Sequence, residues 1–226
     1  MPPVWDGRPV LDPGSVVEAE RIQQELRKRL DLSNCLEVAP TLVAGVDVSY
    51  DKGSTRIVAA AVVFDLGTGV EVESAVVSGE VSFPYVPGLL AFREVPIVLE
   101  ALARLARRPD VVVCDGYGVA HPRRFGLACH LGVVAGLPTF GVAKTPFVGA
   151  YEEPGSRRGE WSPLCDGDEV LGRVLRTRTG VKPVFVSVGH RTGLEQASAI
   201  TLDLSQRYRL PEVIRRADFL SREALR

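Results

Sequence analysis

The sequence predicts one α/β domain built on a mixed sheet, with an antiparallel meander joined by parallel strands and helices packed on it. Three observations carry this. Three strand-like runs, Thr41–Tyr50, Arg56–Leu66 and Glu71–Phe83, follow one another across short turns, Asp51-Lys52-Gly53-Ser54 and Gly67-Thr68-Gly69, as in a meander. Two short apolar runs, Asp110–Cys114 and Pro138–Val142, then bracket a helical stretch, Phe125–Ala135, and strand–helix–strand order signals parallel addition. The chain has 226 residues, 46% of them hydrophobic, with no internal repeat, low-complexity segment or linker, so a single domain 1–226 with a short N-terminal tail of about 1–13 is expected.

The elements follow in order. Ser15–Leu30 reads as a helix, with Ser15 and Glu18 in a capping-box pattern and Ile22, Leu26 and Leu30 on one face. Thr41–Tyr50 and Arg56–Leu66 are apolar and rich in β-branched residues, whereas Glu71–Phe83 alternates more. Gly88–Arg108 has helical spacing (Leu90, Val98, Leu102, Leu105), with Pro96 starting or kinking its second part. The run VVVC before Asp115 suits a strand buried on both faces. Val170–Thr177 and Val184–Val188 are further strands around the Lys182-Pro183 turn. Thr192–Tyr208 and Pro211–Leu225 close the chain as helices, the latter with proline in its first turn.

Composition narrows function only by exclusion. Apolar runs stop short of the ~20 residues of a membrane helix. The N-terminus MPPVWDGRPV lacks the basic segment and apolar core of a signal peptide. Cys35, Cys114, Cys129 and Cys165 form no CxxC pair, which argues against a zinc site or a disulfide framework and fits a reducing cytoplasm. With 27 basic and 28 acidic residues the chain lacks the basic balance of many nucleic-acid binders, although local charge decides such binding. Without a GxGxxG after the first strand, a Rossmann-type nucleotide binder is disfavoured.

Four carboxylates stand out. Asp47 lies within VAGVDVSY, where a buried ionised carboxylate needs a cation or donors; an edge strand with a wet face, or an Asx turn, is the alternative. Asp115 ends an apolar strand, at the sheet edge where ligands and metals gather, or else it caps a helix. Glu94, in AFREVPIV, and Asp218, in RRADFL, each read alone as a helix-dipole partner and a surface ion pair. Their order carries more weight: first strand, first helix after the meander, fourth strand, last helix. This order, with the β-β-β-α-β run, resembles the RNase H-like nucleases and their mixed five-stranded central sheet. Hard oxygen ligands without His or Cys suit Mg²⁺, with Mn²⁺ able to substitute.

Two segments are more specific. Phe83-Pro84-Tyr85-Val86-Pro87-Gly88-Leu89-Leu90-Ala91-Phe92-Arg93-Glu94 resembles the Endonuclease V family motif in which a Pro-Tyr-apolar-Pro loop precedes the catalytic Glu. Asp115-Gly116-Tyr117-Gly118-Val119-Ala120-His121-Pro122-Arg123-Arg124 resembles its Asp-Gly-x-Gly…His-Pro-Arg segment. Val43-Ala44-Gly45-Val46-Asp47, Gly141-Val142-Ala143-Lys144, Gly189-His190 and Leu210-Pro211-Glu212 match others in order, so the likeness runs from about Gly14 to Leu220.

The resemblance implies a divalent-metal-dependent DNA-repair endonuclease that recognises deoxyinosine. It implies hydrolysis of the second phosphodiester bond on the 3′ side, leaving 3′-hydroxyl and 5′-phosphate ends. It assigns metal binding to Asp47, Asp115, Glu94 and Asp218, although some members carry His in the place of Asp218, so direct coordination and action through water both stay open there. It gives catalytic roles also to His121 and Lys144, a strand-separating wedge to Pro84, Tyr85, Val86 and Pro87, and a base pocket to Gly88, Leu90, Gly126 and Leu127. Arg123 and Arg124 are expected at phosphates or on a solvated basic face, Tyr117 fills a variable position, and His130 and His190 read as structural. Inosine-containing RNA as substrate, and a non-catalytic lesion binder, are the competing readings; a monomer is the default.

Overall fold

The computed structural model describes residues 12–33, 36 and 38–226, so most of the expected tail and Cys35 lie outside the described residues. The first helix, α1 (Val16–Arg27), starts as its sequence dictates: the Ser15 hydroxyl accepts from the Glu18 amide at 3.2 Å. Glu18 reaches back one residue further than a standard box, to the Gly14 amide at 3.0 Å. There follow β1 (Leu42–Tyr50), β2 (Arg56–Asp65), β3 (Val70–Glu80), α2 (Ala91–Ala103), β4 (Val111–Asp115), α3 (Leu127–Ala135) and β5 (Thr139–Ala143). The chain ends with β6 (Trp161–Asp166), β7 (Glu169–Leu175), β8 (Val184–Val188), α4 (Leu194–Asp203) and α5 (Glu212–Leu225).

These strands make one eight-stranded sheet ordered β3-β2-β1-β4-β5-β8-β7-β6. Its first five strands are the expected core: β1–β2 and β2–β3 antiparallel, β1–β4 and β4–β5 parallel. The last three extend it antiparallel beyond β5. The strand β6 is absent from the sequence reading because Pro163 interrupts it; proline removes a ladder donor and is tolerated at the sheet edge that β6 occupies.

Helices cover both faces. Ala44, Val46, Val112 and Cys114 face a core shared with α2 and α3, whereas Val43, Val111 and Val113 face the core under α4 and α5. Burial on both sides explains why β1, β2 and β4 read as nearly continuous apolar runs. Two helices are shorter than their periodicity suggests. The chain enters α2 only at Ala91, because Gly88 has φ +82° and turns it first; Pro96 sits inside the continuous helix. After Asp203 the chain turns out of α4 and reaches Pro211, which precedes α5. No described helix is long and apolar enough to cross a membrane.

Candidate active site

Strand register builds the centre of the site. Val46 of β1 lies beside Cys114 of the parallel β4, so the next residues, Asp47 and Asp115, are neighbours on strands ~4.8 Å apart. Alternation turns both toward the α5 face, the face of Val43 and Val113. Helix α5 lies close there because Gly45 has no side chain: a Cβ would sit 2.4 Å from the Val213 carbonyl carbon. The helix thereby brings up Asp218 and Ser221, whose hydroxyl donates to Asp47 Oδ2 at 3.3 Å. From the other face, the first turn of α2 supplies Glu94, 8% exposed, which accepts from the Tyr50 hydroxyl at 2.9 Å. Lys144, just past β5, donates to Asp115 Oδ2 at 2.6 Å. Asp218 accepts from Arg222, one turn on, at 2.6 Å.

All four carboxylates are therefore assembled, and they strain against one another. Burial first, then repulsion from Asp115 and Asp218, pushes the Asp47 carboxyl up to about 7, against the pull of Lys144 and the Ser221 bond. Burial likewise lifts Glu94 to about 8, with Asp47 and Asp115 adding to it and the Tyr50 bond opposing. The Tyr50 phenol, itself raised by burial and by Glu94, stays a donor. Among the described residues no three such groups converge tightly enough to form a ready coordination cage. The set nonetheless fits a hard dication: it is all oxygen, and a positive charge would relieve the repulsion that lifts Asp47 and Glu94.

One wall of this cluster opens into a cleft of about 390 Å³. Asp115 and Lys144 lie at it, as do all four expected pocket residues, Gly88, Leu90, Gly126 and Leu127. Tyr85, Val86 and Pro87 line it too, Tyr85 at 69% exposure; Pro84 faces away, toward Asp12–Val16. Tyr117 and Phe147 join the lining, ring centroids 5.2 Å apart, with the Tyr117 hydroxyl donating to the Thr145 carbonyl. A second groove, with Leu210, Arg215, Asp218, Phe219 and Arg222 in its wall, meets the cleft at Asp115 and Lys144.

Other expected site residues are engaged by the protein itself, His121 while also lining the cleft. Burial, with Arg123 and Arg124 nearby, lowers His121 to about 4, so it is neutral at pH 7. Its Nδ1 accepts from the Arg123 amide at 3.1 Å. The guanidinium of Arg123 donates to Gln23 and to the Gly88 carbonyl. Arg124, at φ +54°, donates to Glu169 at 2.8 Å and Asp166 at 2.7 Å, tying its loop to the β6–β7 hairpin. Both arginines thus brace the site where the sequence suggested phosphate contacts or a solvated face. His130 is fully buried between Phe92 and Phe125. His190 accepts from the Asp31 amide at 3.1 Å, a structural bond. Gln23, Tyr50, Phe147 and Ser221 are contributors the sequence reading did not single out. Gln23 carried a signal, as a polar residue on the apolar stripe of α1 beside Ala19, Ile22 and Leu26.

Known proteins share this fold. The Endonuclease V family model matches residues 24–219. The crystal structure of Endonuclease V from Streptomyces avermitilis is 58% identical, with a TM-score of 0.91 and 94% of each chain covered. The catalytic domain of human Endonuclease V is 36% identical with a TM-score of 0.85, covering 95% of this chain and 98% of that one. Endonuclease V from Ciona intestinalis, in complex with a 24mer DNA containing an inosine followed by a ribo-adenosine, is 31% identical with a TM-score of 0.82, covering 93% and 97%. On its motifs, its fold and these matches, the chain belongs to the Endonuclease V family, nucleases that act on phosphodiester bonds.

Proposed function

We propose that the chain is a divalent-metal-dependent repair endonuclease that recognises deoxyinosine in DNA and hydrolyses the second phosphodiester bond on its 3′ side. The observation that carries this is one cleft lined by the Tyr85 loop, Gly88, Leu90, Gly126 and Leu127 and also by Asp115 and Lys144, with Asp47 directly beside Asp115 on the neighbouring strand. The Ciona relative bound to inosine-containing DNA supports the substrate class.

Asp47, Asp115, Glu94 and Asp218 would hold Mg²⁺ or Mn²⁺. When bound, the ion supplies positive charge for activating water and for steadying the leaving oxygen of an in-line displacement. The protein's own groups do the rest. Lys144 offers a compact cation to the phosphate beside Asp115. Tyr85, held between Pro84 and Pro87, fills the gap left in the stack when a base is extruded. Backbone groups of Gly88, Leu90, Gly126 and Leu127 face that base. His121, Arg123 and Arg124 hold the walls in place.

The test is a nicking assay on matched inosine, uracil and mismatch duplexes with Mg²⁺ or EDTA, with the cut mapped. The expected result is one Mg²⁺-dependent cut, one nucleotide beyond the inosine, abolished in Asp47→Ala with the fold intact. Equal cutting of an unmodified strand, or full activity of Asp47→Ala, overturns the proposal. A second reading, inosine-containing RNA, draws on the ribo-adenosine in the Ciona complex; an all-RNA arm decides it.

A further inference from the structure

The wall of the cleft is anchored from outside the five-stranded core. Helix α1 buries Gln23 to 2% exposure, and its Nε2 donates to two carbonyls 37 positions apart in sequence: Gly88 at 3.0 Å and Phe125 at 2.9 Å. Gly88 ends the Pro84–Pro87 loop, and Phe125 precedes Gly126. One side chain therefore fastens both walls of the cleft. Its Oε1 accepts from Arg123, whose guanidinium also donates to the Gly88 carbonyl at 2.9 Å and reaches Glu20 of α1 at 3.4 Å. His121 bonds the same Gly88 backbone. Gly88 cannot be exchanged without disturbing this: it has φ +82°, and a Cβ would lie 2.8 Å from the Arg123 guanidinium.

A buried primary amide with both ends satisfied is costly to rearrange, because turning it away leaves the Phe125 carbonyl without a donor and the Gly88 carbonyl with Arg123 alone. The Pro84–Pro87 loop projects Tyr85 into solvent, and its own packing on the core comes from Val86, between the buried Phe83 and Leu89. The Gly88 carbonyl, at the end of the loop, is where side chains from outside the loop hold it. The family match begins at residue 24, one position after this glutamine.

We propose that Gln23 is a positioning residue for lesion recognition: by joining the Gly88 and Phe125 carbonyls it fixes the width of the cleft and the stance of the Tyr85 loop. This rests on the inosine reading above. Losing the link loosens base capture and leaves in place Asp47 and Asp115, which the strands β1 and β4 position.

The experiment compares the full-length protein with Gln23→Met and Gln23→Glu. Methionine matches glutamine in length and helix propensity but lacks the donors. Glutamate keeps the acceptor for Arg123 and also lacks them. Both variants should raise KM for an inosine duplex about tenfold, change kcat less than twofold, and lose most of the preference for inosine over uracil. Hydrogen exchange of the 84–90 segment, which needs no substrate, should quicken in both. Unchanged KM, a fall in kcat at constant KM, or a Gln23→Glu protein indistinguishable from wild type overturns the proposal. If the wild type does not cut inosine DNA, the substrate reading fails; unchanged exchange at 84–90 sinks the positioning role independently.

Discussion

The two ends of the cleft are built on opposite principles. At the recognition end polar groups are paired: Gln23 uses both ends of its amide, His121 Nδ1 accepts from the Arg123 amide, and the Gly88 carbonyl takes donors from Gln23 and Arg123. At the cutting end paired bonds do not suffice, and Asp47 and Glu94 are lifted to about 7 and 8 by burial and by their neighbours. On the function proposed above, a recognition end held by such bonds before the ligand arrives lowers the ordering cost of binding. The cutting end holds electrostatic repulsion that a cation relieves, a local instability of the kind that active sites retain.

The sharpest way to test that division is to separate binding from turnover. Asp115→Asn keeps the shape of the strand end and removes the charge that pairs with Lys144. It should cut the single-turnover rate on an inosine duplex by a thousandfold or more, about 4 kcal/mol of barrier, with Kd changed severalfold at most. Tyr85→Ala should do the reverse, raising Kd by roughly 1–3 kcal/mol of lost stacking and changing the saturated rate little. Quench-flow kinetics and gel-shift titration read the two. A Tyr85 variant that loses rate at saturation without losing affinity would move that ring from recognition into catalysis.

Much of the cutting end was legible in the sequence, and much of the recognition end was not. A lone Asp among valines, and an Asp closing an apolar strand, announce themselves because burying charge is expensive. Their pairing follows from β1 and β4 being parallel neighbours, as the likeness of the β-β-β-α-β run to the RNase H-like fold implies. The bracing groups depend on contacts across long sequence separations. Arg123 and Gln23 are 100 positions apart, and Arg124 reaches a hairpin whose first strand is masked by Pro163. Arginine next to arginine reads equally well as phosphate ligand, solvated face or strut. Only the acceptors around it decide, and those belong to the fold.

The repulsion at the cutting end has a stability signature. A carboxyl with a folded pKa of about 7 and an unfolded one near 3.9 keeps its proton between those values only when folded. Stability therefore falls as pH rises from about 4 to about 7, and the cost is fully present above that. Asp47→Asn removes it and can still accept from Ser221. In EDTA at pH 8 the variant should be more stable than wild type by about 1–3 kcal/mol, or roughly 2–10 °C in Tm, with little gain at pH 4. Mg²⁺ should raise the wild-type Tm at pH 8 more than that of Asp47→Asn. Thermal scans at the two pH values check this; a variant less stable at pH 8 would show that Asp47 stabilises the fold and that the contrast between the two ends is overdrawn.

The smallest effect tests the recognition end for a flaw of its own. His130 of α3 is fully buried, its ring 4.9 Å from Phe92 and 5.7 Å from Phe125, and neither nitrogen has a hydrogen-bond partner among the described residues. Burial lowers it to about 3, so between about 3 and 6.5 the unfolded chain holds a proton that the folded one does not. Stability is then lost as the pH drops through that window, by about 2 kcal/mol from pH 7 to pH 5. Asp47 and Glu94 act in the opposite sense over part of the same range, so the measurement must be a difference. His130→Phe keeps an aromatic ring against Phe92 and removes the titration. Urea unfolding at pH 7 and pH 5 should show the variant gaining on wild type by about 1–2 kcal/mol as the pH drops. The same pH slope in both proteins would mean that the folded state accommodates a protonated His130, and that the aromatic floor beneath Gly126 is wetter than its packing suggests.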